Sequence, residues 1–262
     1  MRLGLLLLLL SAPACNESTA SAGTTSRALG AAPGASGASP ARAKTHDGPV
    51  RIEALPGAKP PVFVMRGGPR GPGRLVFLHG MCGHGQGYAQ SFQRAAAQRG
   101  TLIAPQADVS CGGEWAKWSA DLESLDARIV ETFRELGHAD PIDDITVIGM
   151  SQGATRAAAL AKRWPERYPR LISMAAPSAI RPGELRGLRG AVMMAGERDR
   201  QDLMRQSERT LARDGVPVTF VLIPKATHGA MGPTPERTME TALAFLDDPS
   251  SPAGTETSSH PR

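Results

Sequence analysis

The chain has 262 residues, with 30 Lys and Arg against 25 Asp and Glu and a formal charge of +5. The bias lies at the ends: residues 1–48 and 249–262 are low-complexity, and 49–248 hold 25 basic and 22 acidic residues scattered without any long run of one sign. That excludes a nucleic-acid platform, which needs a clustered basic stripe and stacking aromatics, and aromatics make up only 4% of this chain.

Residues 49–248 are long enough for one α/β domain. A chain of that size buries about 70% of its unfolded surface and needs no metal or disulfide to fold. The N-terminus has the order of an export signal. Met1-Arg2 is a positive start, 3–10 is an apolar run broken only by Gly4, and Ala12-Pro13-Ala14 puts small residues before Cys15. The run is well short of the ~20 residues of a membrane-spanning helix. A small residue before a cysteine after an apolar run resembles the bacterial lipobox. That resemblance implies lipidation of Cys15 and an anchor in the cell envelope, although Ala12 stands where Leu is usual. Ordinary cleavage after Ala14 is the alternative, leaving Cys15 a free thiol in a periplasmic or secreted protein. Residues 1–14 thus read as a leader, 15–48 as a tether whose Gly/Ala/Ser/Pro composition cannot order itself, and 249–262 as a similar tail.

Residues 50–55 and 61–65 suggest a leading hairpin. The run Arg74-Leu75-Val76-Phe77-Leu78-His79-Gly80 reads as a buried strand closing on His-Gly. Residues 88–98 have helical composition, 101–104 form a short strand, and 105–119 are a loop. Leu122, Leu125, Ile129, Val130, Phe133 and Leu136 recur at spacings of three and four, an amphipathic helix stopped by Gly137. Residues 145–149 are β-branched and read as a parallel strand. Then come an Ala-rich helix over 155–164, strands at 171–175 and 191–195, a helix over 202–213, a strand at 218–223 and a closing helix over 234–246. Strands alternating with helices predict a mostly parallel sheet with helices on both faces.

The strongest chemical feature is Gly149-Met150-Ser151-Gln152-Gly153. G-x-S-x-G alone is a weak pattern. Between a strand and a helix it is a nucleophile elbow, in which a serine occupies a sharp strained turn at the positive end of a helix dipole. Flanking residues without Cβ relieve the crowding there.

With that elbow in place, residues 60–248 resemble the α/β-hydrolase family. The resemblance implies an α/β-hydrolase fold and a Ser-Asp-His order along the chain. His79-Gly80 closes the strand where the family places an oxyanion donor, so the donors would be the backbone N–H groups of Met81 and Gln152. His79 itself reads as structural. Asp199, in Gly196-Glu197-Arg198-Asp199, takes the place of the acid that orients the histidine, with Glu197 and Asp202 as competitors. His228, in Thr227-His228-Gly229, takes the place of the general base. His138 ends a helix, where a cation suits the dipole. His46 and His260 lie in the low-complexity ends.

Cys82 and Cys111 each follow the carboxyl end of a strand, and the resemblance places both strands beside the nucleophile strand. In an exported protein the two are expected to pair, pinning the oxyanion loop to the loop carrying Trp115 and Trp118. Two reduced thiols, or a metal pair with His84, are the rival readings, and the spacing is poor evidence for zinc. His84, Trp115 and Trp118 are candidate pocket residues; for the tryptophans, simple packing under a loop is the equal alternative. Only 176–189 separates two core strands where large lids are usually inserted, so no lid domain is expected.

The expectation is therefore a cell-envelope serine hydrolase cleaving carboxylic esters through an acyl-enzyme, with no cofactor and no metal. Thioesterases and peptidases use the same parts. The rival from another class is a non-catalytic envelope binding protein, which has no chemical need for Ser151, Asp199 and His228 together.

Overall fold

Alternation along the central strands decides the layering. In β3 (Gly73–Leu78), Val76 and Leu78 join one apolar cluster while Leu75 and Phe77 join another. Successive side chains leave opposite faces of a strand, so the two clusters are the two faces of one sheet. The computed structural model describes residues 50–67 and 73–248. The expected leader, the expected tether with Cys15 and His46, and the expected tail with His260 lie outside these.

The other strands are β1 (Ile52–Ala54), β2 (Val62–Met65), β4 (Gly100–Pro105), β5 (Val109–Gly112), β6 (Trp115–Lys117), β7 (Ile145–Met150), β8 (Arg170–Met174), β9 (Gly190–Gly196) and β10 (Val218–Ile223). Eight of the ten form one sheet in the order β1-β2-β4-β3-β7-β8-β9-β10, and β5 and β6 form a separate hairpin. From β4 to β10 every neighbour is parallel; β1 and β2 are antiparallel to each other, and β2 to β4. The nucleophile strand β7 is buried at every position, as a strand covered on both faces must be. Its direct neighbours are β3 and β8. The cysteine-bearing segments were expected after two strands flanking β7, but β4 lies one strand further out.

Helices α3 (Leu122–Glu135), α4 (Gln152–Arg163) and α5 (Asp202–Arg213) supply Ile129, Phe133, Ala157, Leu160, Met204 and Leu211 to the first face. Helices α1 (Gly85–Ala89), α2 (Gln93–Ala97) and α6 (Pro235–Asp247) supply Ala89, Ala96, Met239 and Leu243 to the second. The helix expected over 88–98 is broken at Phe92, whose backbone (φ −131°, ψ 28°) is not helical. The Glu236 carboxylate of α6 accepts the N–H groups of Arg94 and Ala95 at 3.0 and 2.9 Å, capping α2 from outside. The expected loop 105–119 contains the β5–β6 hairpin, turned on Gly112 and Gly113 at φ +103° and +58°.

One buried polar cluster ties α3 to the segment before β8. The Tyr168 hydroxyl donates to Asp126 at 2.7 Å, and Arg167 pairs with the same carboxylate. Burial first, then the Asp126 charge, raise the Tyr168 hydroxyl well above its ordinary pKa. At the far edge of the sheet, the Arg205 guanidinium of α5 lies 3.9 Å from the ring centre of Phe220 in β10.

Candidate active site

Ser151 sits between β7 and α4 at φ 51°, ψ −115°, a conformation that costs a non-glycine residue on the order of 1–3 kcal/mol. It is held there from both sides. Its N–H donates to the Met174 carbonyl of β8 at 2.8 Å, and its carbonyl accepts from Ala154 at 3.0 Å. The flanking glycines are explained by close approach. A Cβ on Gly153 would stand 2.0 Å from the Leu78 carbonyl oxygen, and one on Gly149 would stand 2.4 Å from the Gly153 oxygen. Neither gap admits a methyl group, so α4 seats against β3 only with glycine at 153 and against β7 only with glycine at 149.

His228, in the loop after β10, reaches both partners. Its Nε2 lies 3.1 Å from Ser151 Oγ and its Nδ1 lies 3.0 Å from Asp199 Oδ2. A carboxylate can only accept, so Nδ1 carries the proton and Nε2 is left to accept from the serine hydroxyl. Asp199 Oδ1 also accepts the Arg200 N–H at 2.7 Å. The acid is sheltered and the base is not: the Asp199 side chain is 10% exposed and that of His228 56%.

The two competing acids are engaged elsewhere. Glu197 accepts the Lys225 N–H at 2.7 Å, and Asp202 pairs with Arg200 at 3.1 Å. Glu197 thereby anchors the histidine loop to the acid loop, with help from the Glu197 and Arg198 N–H groups, which donate to Ile223 and Ala226.

The loop after β3 crosses beside the serine. A Cβ on Gly80 would lie 3.5 Å from Ser151 Cβ, an ordinary contact. His79 is fully buried. Its Nε2 accepts the Ala107 N–H at 3.0 Å, so Nδ1 is the protonated nitrogen that donates to the Gly80 carbonyl at 2.8 Å. Burial lowers its pKa to about 4, keeping the ring neutral. Gln152 opens α4, where the first backbone N–H groups have no partner inside the helix. Its side-chain amide grips Trp118 twice, accepting from the Trp118 N–H at 3.0 Å and donating to its carbonyl at 3.2 Å.

Cys82 and Cys111 are joined in a disulfide, which removes both the free-thiol and the metal-pair readings. The bond ties the loop after β3 to β5, and Gly83 pairs with Ala116 of β6 beside it. Among the described residues no group of three or more His, Cys, Asp or Glu side chains could hold a metal ion.

The two tryptophans separate. Trp118 is 4% exposed, and its indole N–H donates to the His79 carbonyl at 2.7 Å. It is packed beneath the loop and does not line a pocket. Trp115 is 56% exposed. His84, half-buried, lies between the rings of Phe63 (4.9 Å) and Trp115 (6.3 Å). His138 is corrected as well. Its ring packs edge-on against Phe133, and burial followed by the positive charges of Arg74 and Arg66 lower its pKa, so it is not the helix-end cation expected.

Gln106 was not foreseen. It is buried, accepts from the Gly85 N–H at 2.9 Å, and donates to the carbonyls of Gly83 at 3.0 Å and Glu114 at 2.8 Å. A glutamine in a loop carries no periodic signal. The Gly112-Gly113 pair between Val109 and Trp115 is a hairpin signal that the sequence did contain.

The order of the sheet, the strained serine and the short connection after β8 define the α/β-hydrolase fold, without a lid domain at 176–189. No family model matches the chain, and no curated protein matches it. Solved structures do. A fluorophosphonate-binding serine hydrolase of Staphylococcus aureus, FphF, aligns with a TM-score of 0.57 at 14% identity over 76% of this chain and 99% of its own. A fungal esterase from Rhizomucor miehei aligns at 0.57 and 18% identity, over 72% and 79%. An esterase from Pyrobaculum calidifontis aligns at 0.56 and 17%, over 76% and 86%. At these identities the likeness is one of fold.

Proposed function

We propose that this protein is a serine hydrolase that cleaves carboxylic esters through an acyl-enzyme. The observation that carries the reading is the continuous chain Ser151 Oγ, His228 Nε2, His228 Nδ1, Asp199 Oδ2, with links of 3.1 and 3.0 Å. Oγ attacks the ester carbonyl carbon while its proton passes to Nε2. The tetrahedral oxyanion lies toward the backbone N–H groups of Met81 and Gln152. As the intermediate collapses, the carbon–oxygen bond to the alcohol breaks and Nε2 returns the proton to the departing oxygen. Water then repeats the sequence on the acyl-serine, releasing the acid and restoring the hydroxyl. Asp199 keeps the imidazole in the productive tautomer and offsets its positive charge while it holds the proton. The solved structures of like fold include several esterases, which supports this choice among the acyl-transfer reactions open to such a triad.

The same reading takes residues 1–14 as an export leader and Cys15 as the lipidated start of an envelope protein. The disulfide supports export, since such bonds persist in oxidising compartments. Mass analysis of the mature N-terminus checks this: a diacylglyceryl-modified Cys15 is expected, and an intact Met1 overturns it.

A fluorophosphonate probe is expected to add its mass to the peptide containing Ser151, and p-nitrophenyl acetate to be hydrolysed. A folded sample that neither labels nor turns over any ester overturns the reading.

A further inference from the structure

Among the described residues four large apolar side chains are exposed: Met81, Val109, Trp115 and Leu222. Three of the four stand on the loop after β3 and on the β5–β6 hairpin, the two segments joined by the Cys82–Cys111 disulfide and the Gly83–Ala116 pairing. Single exposed apolar residues need no explanation, but a cluster held in place at the rim of a reactive site does.

The alternation of β6 sorts its side chains. Ala116 is buried, as is Trp118 just beyond the strand, while Trp115 and Lys117 face outward together with Val109, the register partner of Lys117. Trp115 is therefore presented to solvent by the strand and is not left over from packing. Its position is fixed from several directions. The disulfide holds β5, Gln106 binds the Glu114 carbonyl next to it, and Trp118 is clamped by Gln152. From Trp118, whose N–H meets the residue after Ser151, the strand runs three residues out to Trp115, about 10 Å. His84 packs between Trp115 and the buried ring of Phe63, backing the indole from the core side.

We propose that Trp115, with Met81 at the near end, is the recognition surface for an aromatic group attached to the ester, laid across the open rim instead of entering a closed pocket. This rests on the ester-hydrolase reading and names the substrate class of that site. An indole carried on a fastened hairpin offers a planar group dispersion and edge-to-face contact, and the flexible Met81 thioether can adapt to the same group. The aromatic group can belong to the alcohol or to the acid, since either side of the ester can place a ring beside the reacting carbonyl.

The test compares kcat/KM for benzyl acetate over ethyl acetate, and for ethyl phenylacetate over ethyl acetate, in the wild type, Trp115→Ala and Trp115→Phe. The wild type is expected to prefer the aromatic ester in at least one pair. Trp115→Ala is expected to lower that preference about five- to tenfold, mainly through KM, and Trp115→Phe to restore most of it. The pair that responds identifies which side of the ester lies on the rim. An absence of aromatic preference in the wild type, or an equal fall for aromatic and ethyl esters in Trp115→Ala, overturns the proposal. Hydrolysis of ethyl acetate and fluorophosphonate labelling of Ser151 report separately on the ester-hydrolase reading, so the two cannot fail unnoticed together.

Discussion

Two loops meet at Ser151, and they are built to different standards. The loop after β3 is fastened by a disulfide, a buried glutamine making three hydrogen bonds, a buried histidine with both nitrogens engaged, and an indole N–H on its backbone. The loop carrying His228 is fastened chiefly through backbone and one carboxylate, Glu197, and its imidazole is more than half exposed. On the proposed mechanism the difference follows from what each must deliver. A backbone N–H aimed at a developing oxyanion cannot adjust without moving the chain, so its position must be set in advance. An imidazole has its own torsions and must serve two oxygens in turn, the serine's and the leaving group's, so one anchor on Nδ1 is enough.

Breaking the chemistry itself has the largest expected effect. Ser151→Ala and His228→Ala should each lower kcat for p-nitrophenyl acetate at least about ten-thousandfold with the fold intact by circular dichroism. Turnover within tenfold of the wild type in either variant would contradict the triad. Next is the seating of the elbow. Gly153→Val places side-chain atoms where only 2.0 Å separates a Cβ from the Leu78 oxygen, so α4 must lift off β3. A loss of more than about 4 kcal/mol, or failure to accumulate folded protein, is expected by denaturant unfolding.

The fastened loop can then be loosened in two ways. Cys82 and Cys111 are both exposed, so mild reductant should reach the bond. Reduction, or Cys82→Ser with Cys111→Ser, should cost about 3 kcal/mol of stability by loop closure. It should also lower kcat for all esters, since the proposed oxyanion donor, Met81, follows Gly80 directly; an unchanged kcat in the reduced, folded protein would show that the hydrogen bonds alone suffice. Acid provides the other route. His79 is neutral in the folded protein with a pKa lowered to about 4 from 6.5, whereas the unfolded chain takes up the proton near the higher value. Its contribution is complete above 6.5 and is lost as pH falls toward 4, by on the order of 3 kcal/mol. Unfolding free energies across that window, in the wild type and in a His79→Gln variant, measure it.

The smallest effect belongs to the lightly fastened loop. Glu197→Gln keeps an oxygen for the Lys225 N–H and should change kcat less than about twofold, while Glu197→Ala should lower it several-fold with KM little altered.

Much of this contrast was hidden in the sequence. Ser151, Asp199 and His228 were legible because each follows a strand in a fixed order and because flanking glycines mark the tight turns. Helix α3 was legible because its apolar residues recur at spacings of three and four, and strand β10 because it is a short apolar run. Gln106 and the seat of Trp118 were not, because their roles depend on contacts between segments that no local pattern records. The same holds for the choice between the two tryptophans. Once 115–117 is known to be a strand, period two sends Trp115 out and Trp118 in; read as a loop, they are equivalent. The broken helix at Phe92 was likewise decided from a distance, by Glu236.

The sheet ends on β10, a run of apolar residues with no strand beyond it among the described residues. Such a border invites a strand from another molecule. The Arg205 guanidinium of α5 stacks on Phe220, so a long charged side chain covers part of the apolar surface that this outermost strand would otherwise leave to solvent. At the opposite border the edge strand β1 is only three residues long, which leaves little backbone for another strand to pair with.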